Sequence, residues 1–492
     1  MDELLQRLAE VADLERAVAV LSWDQEVCMP PAGAEGRGEV RATVGRIAHE
    51  RATDERLGEL LEAAQPRDEV EADIVRVARR DYDKARRVPG ELVAEIARAS
   101  AAARMAWLQA REESDFAGFA PHLERQLELR RRYSACFPEA DSIYDPLLDD
   151  FEPGMRTSEL TGILERLRDG LIPLVASAPE VDDSLLRDGG PGAFPEAGQR
   201  ALVRTVLRAV GVDDEAWRLD EAVHPFQATL SVGDVRLTTR YNDGDLESAY
   251  SSLHEFGHGL YERQIDPALA RTTLGGGVSG AWHESQSRLW ENMVGRSPGF
   301  WRWCFPHLLA AFPARFAGRT WQQVQRAANA VHRTLIRVSA DEVTYGLHIV
   351  LRFELELTLL NGELAVADLP AAWNERMYEY LGLEVPDDAR GVLQDVHWSE
   401  GIFGYFPTYA LGNVIAGQLW ARVSGELPDL DEQFAIGDFA ALRAWLGEHV
   451  HRFGRRLMPG ELLERVVGGP LDPGPYLAYL EAKLESSAQL MT

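Results

Sequence analysis

The residues His254-Glu255-Phe256-Gly257-His258 have the types and the spacing of a metal site. They lie in a helical pattern, and residues four apart share one helix face, so both imidazoles can reach the same ion. Neutral imidazole nitrogen suits zinc, which lowers the pKa of a bound water towards about 7. Glu255 lies close enough to take a proton from that water and pass it to a leaving amine. The motif therefore predicts one zinc ion per chain, with Glu255 as the general base.

A catalytic zinc ion takes three protein ligands and leaves a position for water. Glu284 is the favoured third ligand because it lies in a second helical pattern, residues 280–294, that can return antiparallel to the first through the loop at Gly275–Gly277. His283 is the rival ligand, and the weaker alternatives are Glu262, Glu291 and Asp266. The five-residue motif alone is expected by chance in about three chains per hundred of this length. A histidine pair on a helix surface is therefore the alternative to a metal site.

Most of the chain has the apolar spacing of helices. Helices are predicted at about residues 1–22, 37–61, 69–87 and 89–133, and again from residue 245 almost to the end. Residues 225–240 break this trend, and strand-forming residues around Gly233-Asp234 predict a short hairpin just before the metal helix. Residues 178–199 predict an exposed loop, with a hinge between lobes as the alternative. The fold class is therefore mainly α, as a single intertwined domain over residues 1–492 with its zinc-site core at about 225–410.

The charge balance narrows the class of partner. The sequence has 51 basic and 79 acidic side chains, so its formal net charge is −28. Such a charge repels nucleic-acid phosphates and anionic membrane surfaces, and suits substrates that carry positive charge. The three cysteines have no C-x-x-C spacing, which speaks against a disulfide framework or a thiolate zinc site. No secretory signal pattern or membrane-length apolar run is present. These features predict a cytoplasmic protein that binds neither nucleic acid nor a membrane.

Five internal motifs, in this order along the chain, resemble those of the carboxypeptidase Taq family of metallocarboxypeptidases. They are Asp234–Thr238, His254–His258, His283–Gln286, Ile336–Asp341 and Gly391–Trp398. Trp23-Asp24 and Met29-Pro30 are similar to the opening segment of that family.

The resemblance implies a large two-lobed helical body with a deep groove, related to the angiotensin-converting-enzyme and neurolysin folds. It implies a homodimer that releases single residues from peptide C-termini with broad specificity, with zinc or cobalt in the site. The family's metal ligands fall on His254, His258 and Glu284, and its general base falls on Glu255.

A carboxypeptidase must recognise a free C-terminal carboxylate, and arginine binds carboxylates bidentately. The resemblance gives this role to Arg337. Arg352 is a secondary candidate, although Glu356, one helical turn away, is its favoured partner. Arg236 either faces the groove or pairs with a carboxylate such as Asp234. The strand that carries Arg236 is predicted to hold an extended substrate by backbone pairing.

The segment from His397 to Tyr409 can supply donors for the oxyanion that develops during amide cleavage. In related helical zinc peptidases a histidine and a tyrosine serve this role, which favours His397 together with Tyr405 or Tyr409. Packing in an apolar core is the structural alternative for these aromatic residues.

The predicted activity is therefore metal-dependent removal of C-terminal residues from peptides. An endopeptidase or dipeptidase on the same zinc fold is one alternative, because it would use the same ligands without a carboxylate anchor. A non-catalytic helical binding or scaffold protein is an alternative of a different class.

Overall fold

The structure is a computed structural model that describes residues 1–187 and 190–489. Within these ranges the chain forms 21 α-helices and three β-strands. The helices are α1 (Asp2–Val27), α2 (Ala34–Ala52), α3 (Glu55–Glu62), α4 (Glu69–Arg87), α5 (Gly90–Glu113), α6 (Phe116–Ser134), α7 (Asp145–Asp149), α8 (Thr157–Ser177), α9 (Glu196–Val210), α10 (Glu247–Arg263), α11 (Gly280–Arg288), α12 (Pro298–Ala311), α13 (Pro313–Phe316), α14 (Trp321–Ala328), α15 (Tyr345–Asn361), α16 (Leu369–Leu381), α17 (Phe406–Glu426), α18 (Leu430–Ala435), α19 (Ala440–His449), α20 (Pro459–Val467) and α21 (Gly474–Gln489). The strands are β1 (Trp217–Glu221), β2 (Gln227–Ser231) and β3 (Asp234–Thr239).

Helix accounts for 66% of the structure and strand for 3%, so the predicted mainly α fold with a small sheet is confirmed. One large apolar core extends through most of the molecule. A smaller core joins α1, α3 and α4 to the segment from Ile265 to Leu274, which follows α10. The N-terminal helices therefore pack beside the end of the helix that carries the metal motif. Across the described residues, every helix is too short or too polar to span a lipid bilayer.

The predicted hairpin is present as β2 and β3, which pair antiparallel. β1 was not predicted, and it pairs parallel to the other edge of β3. Because β3 lies between β1 and β2, both of its edges are occupied by other strands. The prediction that the strand carrying Arg236 holds a substrate by backbone pairing is therefore wrong. Among the described residues, the outer strands β1 and β2 have the free edges of the sheet.

Two predicted helices are each divided in the structure. The pattern at 37–61 forms α2 and α3, with Asp54 between them accepting a hydrogen bond from the N–H of Arg56 at 2.8 Å. The pattern at 89–133 forms α5 and α6, because Ser114 has a left-handed conformation with a φ of 55°. Asp115 then caps α6. The prediction for 69–87 is confirmed by α4.

The segment 178–199 is only partly the exposed loop that was predicted. Its described part up to residue 195 is not helical, but α9 begins at Glu196. Leu186 and Phe194 are buried in the main core, so part of the segment is packed in the interior and not exposed. Asp188 and Gly189 lie outside the described residues.

Candidate metal centre and substrate groove

α10 lies directly on the small sheet, and a glycine makes this contact possible. A Cβ atom at Gly259 would lie 2.7 Å from the ring of Trp217 and 2.8 Å from a methyl group of Val235. Phe256 and Leu260 are buried in the main core beside it. His254 and His258 lie on the helix face that borders the groove. The sheet therefore fixes the orientation of the two imidazoles.

Two further glycines fix Glu284 beside α10. A Cβ at Gly257 would lie 2.4 Å from the backbone oxygen of Gln286, so the backbones of α10 and α11 touch at this point. A Cβ at Gly412, on α17, would lie 2.6 Å from both Cβ and Cγ of Glu284. Glu284 is thus enclosed between the metal helix and α17, which leaves its side chain little freedom to move.

The side chains of His254, His258 and Glu284 converge on one point. Nε2 of His254 lies 3.7 Å, and Nε2 of His258 lies 3.5 Å, from Oε2 of Glu284. Ligand atoms at about 2.0–2.1 Å from a tetrahedral zinc ion lie roughly 3.3 Å apart, so this spacing fits such an ion. One potential ligand atom from each of the three lies within 4.8 Å of the others. In the part of the chain that the structure describes, the alternatives His283, Glu262, Glu291 and Asp266 are outside this group.

Two of those alternatives, Glu291 and His283, contact the other side of the two imidazoles, and a third, Glu262, contacts His283. Nδ1 of His254 lies 2.8 Å from Oε2 of Glu291. Nδ1 of His258 lies 3.1 Å from Nδ1 of His283, whose Nε2 lies 2.7 Å from Oε1 of Glu262. Carboxylates behind a metal-binding imidazole fix its tautomer and its orientation. The arrangement directs both Nε2 atoms towards Glu284.

Arg288 is a functional neighbour that was not predicted. Its Nε donates to Oε1 of Glu284 at 2.6 Å, and its Nη1 donates to Oε2 of Glu291 at 3.3 Å. Because Oε1 is engaged by Arg288, Oε2 of Glu284 is the oxygen that faces the imidazoles. Arg288 lies four residues after Glu284, so the i,i+4 spacing was a signal from which this pair could have been found.

The charges of the cluster shift the pKa values of its members. Burial lowers the pKa of His254, but the carboxylates of Glu284 and Glu291 outweigh burial and raise it to about 9. Burial lowers the pKa of His258 to about 4, although Glu284 opposes this shift. Burial raises the pKa of Glu284, but Arg288 and the imidazoles outweigh burial and hold it well below its ordinary range. Burial raises the pKa of Glu255 to about 7, against the opposing effect of His254.

Two cavities meet at His254, His258 and Glu284, the three side chains that we call the metal cluster, and together these cavities form the groove. One, of about 1110 Å³, is lined by Arg130 and residues of α4 and α6, and we call it the Arg130 cavity. The other, of about 1160 Å³, is lined by Arg337 and residues of the loop before α10, and we call it the Arg337 cavity. Both are lined by His254, Glu255, Glu284 and Tyr409.

Arg337 is held in the wall of its cavity by a carboxylate and a phenol. Its Nε donates to Oδ1 of Asp395 at 2.9 Å, and its Nη1 donates to the hydroxyl of Tyr345 at 3.0 Å. Arg352 is fully buried, and its Nε donates to Oδ2 of the same Asp395 at 2.6 Å. The expected pairing of Arg352 with Glu356 is therefore wrong. The two arginines are brought together by an acidic residue that the sequence separates widely from both.

Glu356 has a different role from the one expected. It accepts hydrogen bonds from the hydroxyl of Tyr144 at 2.7 Å, from Nε1 of Trp398 at 2.8 Å and from the N–H of Gly404 at 3.1 Å. Two of these donors belong to the segment around His397. Glu356 therefore anchors the segment that carries His397 to the core.

His397, Tyr405 and Tyr409 lie together beside the metal cluster. Nε2 of His397 lies 3.3 Å from the hydroxyl of Tyr409. Tyr409 lines both cavities, whereas Tyr405 lines only the Arg130 cavity and His397 only the Arg337 cavity. Burial lowers the pKa of His397 to about 4, with Asp395 opposing this shift. Tyr345 is a further phenol in the Arg337 cavity, and no sequence pattern indicated its position.

The structure does not bring Arg236 into the groove. Its Nε and Nη2 donate to the two oxygens of Asp234, each at 2.9 Å. Its guanidinium lies 4.3 Å from the ring centre of Trp23. Neither cavity is lined by Arg236. The alternative in which Arg236 pairs with a carboxylate is the one that agrees with the geometry, and Trp23 of the opening segment covers this pair.

Comparisons with known proteins agree over nearly the full length of the chain. A family model described as carboxypeptidase Taq (M32) metallopeptidase matches residues 3–484. Thermostable carboxypeptidase 1 of Thermus thermophilus is 40% identical, over 98% of this chain and 97% of the relative. Carboxypeptidase 1 of Bacillus subtilis is 36% identical, again over 98% of this chain and 97% of the relative. The crystal structure of M32 carboxypeptidase from Deinococcus radiodurans R1 matches with a TM-score of 0.95 and 41% identity, covering 99% of both chains.

These matches confirm the resemblance that the five motifs indicated, and with it a peptide hydrolase that depends on a divalent metal. The alternative of a non-catalytic helical scaffold is wrong. The chain belongs to the carboxypeptidase Taq (M32) family of metallopeptidases.

Proposed function

We propose that this protein is a zinc carboxypeptidase that releases single residues from the C-termini of peptides, with one ion per chain. The observation that carries the proposal is that His254, His258 and Glu284 converge at the junction of two cavities, one of which also contains Arg337. A peptide bond placed at the junction lies beside Glu255, while the end of the peptide lies within the Arg337 cavity.

The donor set fits zinc, with cobalt as the alternative ion. Two imidazole nitrogens and one carboxylate oxygen form one of the known catalytic zinc arrangements. When bound, the ion supplies Lewis acidity, which makes water a stronger acid and the scissile carbonyl a better electrophile. Arg288 holds one oxygen of Glu284 and leaves the other directed at the imidazoles.

Glu255 is the general base in this proposal. It follows His254 directly and lines both cavities at their junction, so it can receive a proton from water and transfer it to the leaving amine. His397 and Tyr409 are the donors to the developing oxyanion. Tyr409 is favoured over Tyr405 because its hydroxyl contacts His397 and because it lines both cavities.

Arg337 is the anchor for the terminal carboxylate. Guanidinium has five N–H donors, and the contacts with Asp395 and Tyr345 occupy three of them. The remaining two can bind a carboxylate in the cavity. Arg352 is fully buried and does not line the cavity, so its role is to share Asp395 and to fix the orientation of that carboxylate.

The outer edge of β2 is the best site for backbone pairing with a substrate. The N–H of Thr238 donates to the oxygen of Phe226, so the backbone groups of the next residue, Gln227, point away from β3. Gln227 lines the Arg130 cavity. An extended peptide can add to this edge as a further strand, with its upstream residues in the Arg130 cavity and its C-terminus in the Arg337 cavity.

The family resemblance supports the remaining parts of the proposal. They are broad acceptance of C-terminal residues, a homodimer, a cytoplasmic location and a single intertwined domain over residues 1–492 with its zinc-site core at about 225–410.

Product analysis on one peptide tests the proposal. The peptide is prepared with a free C-terminus and with a C-terminal amide, and each form is incubated with the zinc-loaded protein. We expect stepwise release of single residues from the free form, loss of activity with a chelator, and slow or no cleavage of the amide. Internal fragments from both forms would instead establish an endopeptidase, and release of C-terminal dipeptides would contradict the assignment as a carboxypeptidase that removes single residues.

A further inference from the structure

Arg130, on α6, differs from the other cations that line the Arg130 cavity. Each of the others has a carboxylate partner: Arg80 and Lys84 pair with Asp149, and Arg455 pairs with Asp81. The Nε of Arg130 is buried without a hydrogen-bond partner. Across residues 1–187 and 190–489, the guanidinium of Arg130 has no carboxylate within ion-pair distance. Arg130 is therefore a cation of the groove whose charge the protein leaves without a direct partner.

The position of this guanidinium is fixed by the backbone on which it lies. Gly401, with a φ of 69°, approaches so closely that a Cβ there would lie 2.6 Å from Nη2 of Arg130. Gly401 belongs to the segment between His397 and Tyr405, which also borders the metal cluster. A side chain held in this way presents its charge at one place in the cavity.

Leaving the charge unpaired at this place is unfavourable for the free protein. Burial lowers the pKa of Arg130, which shows that the charged form is partly desolvated. Buried charges are normally paired, and the chain has 79 acidic side chains from which a partner could have come. A carboxylate that enters with the substrate would supply the missing partner.

Among the described residues, the nearby acidic side chains form no ion pair with Arg130, although the charge of Asp150 opposes the effect of burial on the pKa of Arg130. Asp149 contacts Arg80 and Lys84, and Asp150 contacts Lys84 at 2.7 Å and the hydroxyl of Tyr133 at 2.7 Å. Because these carboxylates are neutralised by their own partners, they repel an incoming carboxylate only weakly. The protein as a whole is negatively charged, but this cavity therefore contains one position that can bind an anion.

We infer that Arg130 is a specificity-determining residue that binds the side-chain carboxylate of an aspartate or glutamate on the amino side of the scissile bond. The inference rests on the proposed function, in which the terminal carboxylate occupies the Arg337 cavity. The peptide must then cross the metal cluster, and its upstream residues must occupy the Arg130 cavity. Guanidinium is the cation best suited to a carboxylate because it forms two parallel hydrogen bonds.

The test uses peptides that share their last two residues and carry a single glutamate at successive upstream positions, each compared with its glutamine counterpart. At one position we expect the wild-type kcat/KM to favour glutamate by about tenfold or more, the size of one charge-assisted hydrogen bond. Arg130→Met should reduce that ratio to near one while leaving kcat on the glutamine peptides within about threefold. Arg130→Lys should retain part of the preference, and Arg236→Met, an arginine outside both cavities, should leave it unchanged.

Three results would overturn the inference. A wild-type ratio near one at every position does so without any variant, and so does a ratio that survives in Arg130→Met. Loss of all activity on free C-termini in Arg130→Met, with full activity in Arg337→Met, would make Arg130 the terminal anchor and reverse the direction of the peptide. Failure of the proposed function is recognised separately, because wild-type products would then not be single C-terminal residues.

Discussion

The two cavities that meet at the metal cluster differ in whether the arginine proposed to bind substrate, Arg337 or Arg130, has a carboxylate partner in the protein. In the Arg337 cavity, Arg337 is paired with Asp395, and Arg288 is paired with Glu284. In the Arg130 cavity, no carboxylate of the described residues forms an ion pair with Arg130, and its Nε has no hydrogen-bond partner among them. An arginine paired with a protein carboxylate has its ion-pair partner before the substrate binds. An arginine without such a partner gains one only when a substrate brings a carboxylate. The first arrangement suits a group that every substrate has, and the second suits a group that only some substrates have.

This difference has a physical basis in desolvation. A terminal carboxylate bound to Arg337 joins a cluster in which Asp395 pairs with two guanidinium groups and leaves a net charge of +1, so the pocket is positively charged and preorganised, and little rearranges on binding. A carboxylate bound to Arg130 would itself neutralise a partly desolvated charge. The contact with Arg337 is thus expected to be required for the turnover of every substrate. The contact with Arg130 is expected to raise kcat/KM only for substrates that carry a suitable carboxylate.

Glu255→Gln should have the largest effect on turnover, because Glu255 lies where the two cavities meet and is the proposed general base for every substrate. We expect kcat to fall by about 10² to 10⁴, the usual contribution of a general base. The three proposed ligands are unchanged, so metal analysis should find the same zinc content as in the wild-type protein. Comparable turnover in the variant would remove Glu255 from the reaction.

Arg337→Met should impair binding in the Arg337 cavity and leave the Arg130 cavity unchanged. We expect kcat/KM on peptides with a free C-terminus to fall by about 10 to 100-fold, the size of a lost charge-assisted contact. Residual cleavage of C-terminally amidated peptides should be unchanged. Asp395 keeps its contact with Arg352, so thermal unfolding should reveal a folded protein. Equal losses on the two kinds of peptide would show that Arg337 supports the structure and does not anchor the carboxylate.

Gly412→Ala tests whether zinc binding requires the close contact between α17 and Glu284. The added methyl would meet Cβ and Cγ of Glu284 at 2.6 Å, so the carboxylate must move away from the imidazoles. We expect zinc affinity to fall by about tenfold and stability to fall by about 1–3 kcal/mol. Gly425→Ala on the same helix is the matched control, because a Cβ there meets no atom within 4 Å. Wild-type zinc affinity in Gly412→Ala would show that Glu284 tolerates the shift.

Arg236→Met should have the smallest effect, although Arg236 was predicted together with Arg337 as a substrate contact. Its partners are Asp234 and the ring of Trp23, outside both cavities. We expect kcat/KM to change by less than about twofold and stability to fall by roughly 1 kcal/mol or less, as for partly exposed ion pairs. A selective rise in KM would place Arg236 in the groove after all.

The extent of successful prediction differs between the metal cluster and the arginines. The helix spacing of His254 and His258 follows from the α-helical repeat, so their common face was readable from the sequence. Glu284 required a return of the chain, and a plausible turn was visible at Gly275–Gly277. The partner of Arg352 was not readable in the same way. The i,i+4 rule favoured Glu356, but burial of Glu356 among three donors elsewhere left Asp395 for both arginines.

The sequence by itself therefore determined the helical fold class, the hairpin, the family and the residue types of the metal site, because these depend on local periodicity and on motif spacing. Tertiary structure alone decided that β3 is enclosed between two strands and that Glu291 and His283 lie behind the imidazoles. It also decided that Arg130 has no ion-pair partner among the described residues. Such features depend on which distant segments pack together. Packing is set by the summed burial of many side chains, and no short window of sequence contains that sum.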